Sequence, residues 1–359
     1  MSYRAELLSP AKVKEKALMA LSVRKLVERG WLTALLGYLI KKEEVEVRLK
    51  YIGDLRLQRK DFGALAILTY HATMCQPGLS EELAKTFSRS LEPRRAFSLL
   101  LAGLSLAPYA CKKQSTGNKV SINMSPERLS LEVNGISAAF NPNCVDASLL
   151  MGVFTKGEYE IPEVLSGLKG REVIDVGANV GDSALYFVLN GARKVIAVEP
   201  LPNVAKCAEE NVRLSGATDK VKVINAALSD EPVNVPCSYD VSSSGVFTTV
   251  SSSGPCKVPG VSLDDLLGMI YDPYLLKMDC EGCEAQVILG PERERLKAFE
   301  HIILETHPLN SGVSDEKLLT SLKGLGFECR LHMEKHDPKV GGSIYHCKKS
   351  KPRQPNGAL

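Results

Sequence analysis

Four residues in the last third of the chain, Asp279, Glu281, Glu305 and His307, are of the types that take protons or hold cations. Asp279 and Glu281 directly follow the apolar run LLKM, and Glu305 and His307 close the run HIILETH. An acid or imidazole at a strand end can act as a general base. Three carboxylates and one imidazole could also hold a hard divalent cation such as Mg²⁺, and the metal stays an open question at this point. Plainer roles exist for each. Glu281 could be an acid complementing a helix start, His307 before Pro308 a turn residue, and Asp279 a helix cap.

Upstream, VIDVGANVGDSALYF places Asp175, Gly177, Asn179 and Gly181 between an apolar run and a helical pattern opening at Asp182. Glycines at such a turn let the backbone approach a ligand closely. A dinucleotide site would prefer G-x-G-x-x-G; this string is one residue shorter and carries Asn in its middle. The acid before the glycines repels phosphate and suits a cationic amino acid. Glu199 ends the next apolar run, VIAVEP, where a carboxylate can accept from both ribose hydroxyls. An adenosine head with an ammonium-bearing tail is S-adenosyl-L-methionine. Ala178, Asp182, Pro200, Asn225 and Ala226 complete the expected cofactor shell, with Asn225 facing the adenine and Asp279 shared with the acceptor side. A tight turn without ligand, a solvated Glu199 and a turn-forming Asn225 are the bland counterparts.

From Arg171 onward, short apolar runs alternate with helical patterns, the rhythm of a doubly wound parallel sheet. FECRLHMEK and GGSIYHCKK, joined by a short connection, must pair antiparallel. The front reads differently: helical at about 11–40, a hairpin in EVEVRLKYIGDLRLQR, helices at about 62–74 and 79–107, a meander over KVSINMSPERLSLEVNGISAAF, and a helical bridge at 143–168. The expected organisation is an α+β accessory domain over 1–150, an α/β domain over 151–350 and a frayed tail over 351–359. Two Ser-rich stretches around VFTTV, within 232–260, read as a flap over the acceptor or as a surface hairpin.

The net charge of +3 divides unevenly, +8 over residues 1–150 and −5 over 151–359. A basic front half could face an anionic partner such as RNA, or be a solvated basic surface. The apolar run Phe97 to Ala110 is too short to span a bilayer. The first residues lack a signal-peptide core, and the ten cysteines show no regular framework. A reducing, cytoplasmic setting with mostly free thiols is expected. Cys280 and Cys283 form a C-x-x-C without a second pair or a His pair, which reads as structural thiols.

VIDVGANVGDSALYF, VIAVEP, INAAL, SLDDLL, LLKMDCEGCEAQVILG and IILETHP occur in an order and spacing that resemble FkbM-type methyltransferases over about 154–310. The family more often has an aliphatic residue at Cys280 and Ala at Cys283. The resemblance implies a Rossmann-like class I methyltransferase domain that binds S-adenosylmethionine and methylates oxygen, often a hydroxyl of a sugar or natural product. It also leaves room for a divalent ion, since some related enzymes use one. Methyl transfer needs an aligned acceptor and a group to take its proton, and Asp279 is the favoured candidate. The rival readings are an RNA methyltransferase gripping its substrate with the basic front, a dinucleotide-dependent oxidoreductase and a non-catalytic cofactor-binding protein.

Overall fold

The computed structural model describes residues 10–89, 91–145, 147–237, 254–335 and 342–350. The chain forms two compact units, Met1–Gly135 with Val145–Thr155, and Ile136–Cys144 with Lys156–Leu359. The chain passes between the units at 135/136, 144/145 and 155/156, and the expected boundary at 150/151 lies within the Val145–Thr155 stretch of the first unit.

In the first unit, three strands (Val27–Arg29, Glu44–Leu49, Gly53–Gln58) pair antiparallel in sequence order. Val27–Arg29 interrupts the helical reading of 11–40. Helices run over Arg59–Cys75, Leu79–Ser88 and Pro93–Ser115. The expected helix over 79–107 is thus two, because Pro93 starts a new one and Glu92 accepts from the Arg94 and Arg95 amides as its cap. Pro93–Ser115 buries Leu99, Leu100, Leu104, Leu106 and Ala107.

In the second unit, β1 (Glu172–Val176), β2 (Lys194–Val198), β3 (Val221–Ile224), β4 (Pro273–Met278), β5 (His301–Glu305), β6 (Phe327–Lys335) and β7 (Gly342–Lys349) form one sheet in the order β6-β7-β5-β4-β1-β2-β3. The first five strands are parallel, and β7 runs antiparallel between β5 and β6. Helices α1 (Asp182–Leu189), α2 (Pro202–Leu214), α3 (Leu263–Leu267), α4 (Cys283–Leu289) and α5 (Asp315–Gly324) accompany it. This is the expected Rossmann-like α/β arrangement, its central strands fully buried. Ligands in such sheets sit beyond the carboxyl ends of the strands. Register fixes what gathers there: Met278 pairs with Val176 on one side and Leu304 on the other, so Asp279 stands level with Gly177 and Glu305.

Strand Ile136–Phe140 belongs to this unit through α2. Ser215 Oγ accepts from the Ala139 amide, and Asn211 Oδ1 accepts from the Asn141 amide, both at 2.8 Å. The described ends of the expected flap pair antiparallel, Val233–Val235 with Cys256–Val258; residues 238–253 and the expected tail at 351–359 lie outside the described residues.

The expectation of free thiols is overturned. All ten cysteines pair, as Cys75–Cys111, Cys144–Cys207, Cys237–Cys256, Cys280–Cys283 and Cys329–Cys347. The partners are distant in sequence in four cases. Strand register and helix packing bring them together, as where Cys329 stands opposite Cys347 across β6 and β7. Disulfides persist in oxidising compartments, so cysteine usage gives no support to a reducing setting. Among the described residues no helix is long and apolar enough to cross a membrane.

Candidate active site

The glycine turn is shaped by its neighbours. Gly177 has φ 74, and a Cβ on it would collide with the Asp279 carbonyl oxygen. Only glycine lets the end of β1 pack against the end of β4. The Gly177 and Ala178 amides donate to the Val198 carbonyl at 2.9 and 3.0 Å, and the Asn179 amide donates to Glu199 Oε2 at 3.0 Å. These amides are spent on β2 rather than aimed at a phosphate. Gly181, φ 82, begins α1, whose first residue Asp182 is buried; burial pushes its carboxyl up to about 7 despite Lys277.

Glu199 is 6% exposed and also accepts from the Leu201 amide at 2.9 Å. Burial raises its pKa to about 7, opposed by its two amide donors. Each carboxylate oxygen keeps a lone pair for a ribose hydroxyl. Asn225 donates to the Glu199 and Pro200 carbonyls at 2.9 and 3.0 Å, which ties the ends of β2 and β3 together. Ala226 is buried in the sheet's hydrophobic core.

Asp175 is wholly buried and its charge is met inside the protein. Ser183 donates to its Oδ2 at 2.6 Å, and Lys277 Nζ lies 3.0 Å from Oδ1, an ion pair off the hydrogen-bond line. Lys277, itself 1% exposed, donates to the Gly177 carbonyl at 2.6 Å and stands 4.0 Å from Asp279. Burial works against its charge, but Asp175 and Asp279 prevail and hold its pKa above the usual lysine value. Sequence reasoning missed Lys277, although a lone lysine inside LLKM signals a charge that must find a partner.

Beyond β4 and β5 the four acid and imidazole candidates converge. His307 Nε2 lies 3.6 Å from Asp279 Oδ1, 3.6 Å from Glu305 Oε1 and 3.7 Å from Glu281 Oε2. Its Nδ1 faces Glu284 Oε1 at 2.9 Å. Buried Glu284 also accepts from the Cys280 and Gly282 amides, at 2.8 and 2.9 Å, so it braces the loop bearing Asp279 and Glu281. Glu281 has φ 58, a left-handed backbone uncommon for a residue with a Cβ, and accepts from Asn310 at 2.8 Å. The loop is closed by Cys280–Cys283, and α4 starts after Gly282 with no side-chain cap. Asp279 therefore does not cap α4.

Lys335 donates to both Glu305 oxygens at 2.6 and 2.7 Å, and Tyr159 donates to Asp279 Oδ2 at 3.1 Å. Burial opposes ionisation of Asp279, but Lys277, Lys335 and His307 hold its carboxyl below the usual value. Burial likewise opposes the His307 charge, yet Glu284, Glu305 and Asp279 push it up to about 11. Glu281 is pushed up to about 7, chiefly by burial. Asp279 has the most accessible side chain of the four at 25%, against 16% for Glu281, 2% for Glu305 and 0% for His307. Glu284, Lys335 and Tyr159 were not expected from the sequence. Glu284 alone left a signal, as the second acid in CEGCE.

Residues 175–329 match the methyltransferase FkbM domain. Methyltransferase sdnD of Sordaria araneosa is 25% identical over 190 residues, which is 43% of this chain and 72% of that protein. Among solved structures, Methanocaldococcus jannaschii Trm5 in complex with adenosine is similar over 64% of this chain and 58% of its own, with 14% identity and a TM-score of 0.36. Precorrin-6y C5,15-methyltransferase of Geobacter metallireducens covers 54% of this chain and 88% of its own, with 14% identity and a TM-score of 0.34.

Proposed function

We propose that this chain, whose residues 175–329 match the methyltransferase FkbM domain, is a methyltransferase that takes its methyl group from S-adenosylmethionine and delivers it to a hydroxyl of a sugar, polysaccharide or other small molecule. The observation that carries the proposal is the contact of Gly177 with Asp279. It places a close-approach turn against the most accessible acid of the strand-end cluster.

Gly177, Ala178 and Asn179, their amides spent on β2, would shape the wall beside the methyl donor, and Glu199 would hold its ribose; the donor supplies an electrophilic methyl group on a sulfonium. The fit rests on Glu199, a buried carboxylate with a spare lone pair on each oxygen. Asp279 orients the acceptor hydroxyl and takes its proton, and Tyr159 fixes the carboxylate through Oδ2. Because Asp175 is paired with Lys277, its part is to place the turn.

Calorimetric titration should show binding of S-adenosylmethionine and of its demethylated product, and none of NAD. The reverse result would end this reading. Glu199→Ala should weaken donor binding by one to two powers of ten, on the basis of about 1.5–3 kcal/mol per hydrogen bond to a charged group. The loss should fall on KM rather than kcat, since the ribose is held equally in ground and transition states. With the Glu199 carboxyl at about 7, donor affinity should climb as pH rises through that value, and Glu199→Gln should remove this rise. The acceptor class is tested by transfer of tritiated methyl groups into a fractionated cell extract. Label in the saccharide or small-molecule fraction supports the proposal. Label in RNA would favour the rival, to which the net charge of +8 over residues 1–150 lends support.

A further inference from the structure

His307 carries a nitrogen without a partner. The ring is fully buried, and Nε2 has no hydrogen bond. A buried polar atom left unsatisfied needs a physical reason. Nδ1 faces Glu284, a carboxylate that only accepts, so Nδ1 bears a proton, and Nε2 is turned toward Asp279, Glu305 and Glu281. Those carboxylates favour a cation at Nε2, either the second ring proton, held on well above the usual imidazole range, or a metal ion that displaces it. At 3.6 Å the nearest oxygens stand too far away to accept a hydrogen bond from that proton.

That spacing is what one shared ion requires. Ligand atoms each about 2.0–2.2 Å from a common centre stand roughly 3–4.4 Å from one another. One ligand atom from each of Asp279, Glu305 and His307 lies within 4.8 Å of the others. The facing atoms are available. Tyr159 engages Asp279 through Oδ2, which leaves Oδ1 toward His307. Lys335 occupies one lone pair on each Glu305 oxygen, and each oxygen has a second. Glu284 stands behind the imidazole as an outer carboxylate that fixes tautomer and ring orientation.

We propose that Asp279, Glu305 and His307 are the ligands of one divalent cation of the Zn²⁺ or Mn²⁺ class, held at the acceptor end of the site. An imidazole nitrogen among the donors favours these ions over Mg²⁺, which prefers an all-oxygen shell and keeps its waters. All ten cysteines are paired, so no thiolate competes. The inference rests on the methyltransferase reading, in that the ion would sit where Asp279 meets the acceptor.

The test is direct metal binding by the purified full chain, with neither donor nor acceptor added. Equilibrium dialysis against ZnCl₂, MnCl₂ or MgCl₂, read by elemental analysis, should leave one equivalent of Zn²⁺ or Mn²⁺ per chain, bound at least about tenfold more tightly than Mg²⁺. Loss of the outer carboxylate in Glu284→Gln should weaken binding about 10–100-fold, and His307→Gln should remove stoichiometric binding. His346→Gln should change nothing, although His346 and His301 form a close imidazole pair, with 2.9 Å between ring nitrogens. Pulsed electron paramagnetic resonance of the Mn²⁺-loaded wild-type protein should show one coupled imidazole nitrogen, a readout that does not depend on any variant folding. Absence of stoichiometric binding, preference for Mg²⁺, no nitrogen coupling, or loss of the ion in His346→Gln would each overturn the proposal. Metal binding in a protein that ignores S-adenosylmethionine would sink the donor reading and leave the metal site standing.

Discussion

Asp279→Asn is expected to lower kcat by about 10²–10⁴, the usual range for loss of a general base, while the calorimetric affinity for S-adenosylmethionine changes little. Asparagine keeps the size of the side chain and can still accept from Tyr159, but it cannot take a proton. The sequence left open that Asp279 is only a helix cap, in which case asparagine would serve equally well. The structure removes that alternative, since α4 begins beyond Gly282 and the Cys280 and Gly282 amides are satisfied by Glu284. A normal kcat in the variant would take Asp279 out of the catalytic role and move it to Glu305 or His307.

The largest loss of stability should follow Lys277→Met. The substitution fits the volume and removes the cation that faces Asp175, Asp279 and the Gly177 carbonyl. Breaking a buried pair from one side costs about 3–5 kcal/mol, because the remaining charge is stranded in a poor solvent. Chemical denaturation should register this as a lower midpoint with an unchanged slope. Adding Asp175→Asn removes the stranded charge and should restore much of the loss. If the double variant is as unstable as the single one, packing rather than charge explains Lys277.

What was legible in the sequence was what local pattern determines. Apolar runs ending in Asp175, Glu199, Asp279 and Glu305 marked strand ends, and the small residues of the turn marked a close backbone approach, which Gly177 makes with Asp279. What was hidden depends on register and crossing of the chain. Nothing near Lys277 in sequence shows that Asp175 lies beside it. Glu284 reads as an ordinary first-turn acid until α4 is folded back under its own loop. Tyr159 reaches Asp279 from 120 residues away. The cysteine pairs escaped for the same reason, and with them went the argument for a reducing environment. Pro93 was visible, yet a continuous helix was expected because the apolar spacing runs on across it.

The packing of Gly177 on the Asp279 backbone also limits how this scaffold can diversify. The two loops are one mechanical part, since neither can shift without pushing the other. A change that re-aims the acid toward a differently shaped acceptor would drag the donor turn out of alignment and spoil the geometry of transfer. On the proposed reading, tolerance for new acceptors would therefore come from a rim of residues that do not touch this seam. Efforts to retarget the protein should mutate that rim and leave the Gly177–Asp279 seam alone.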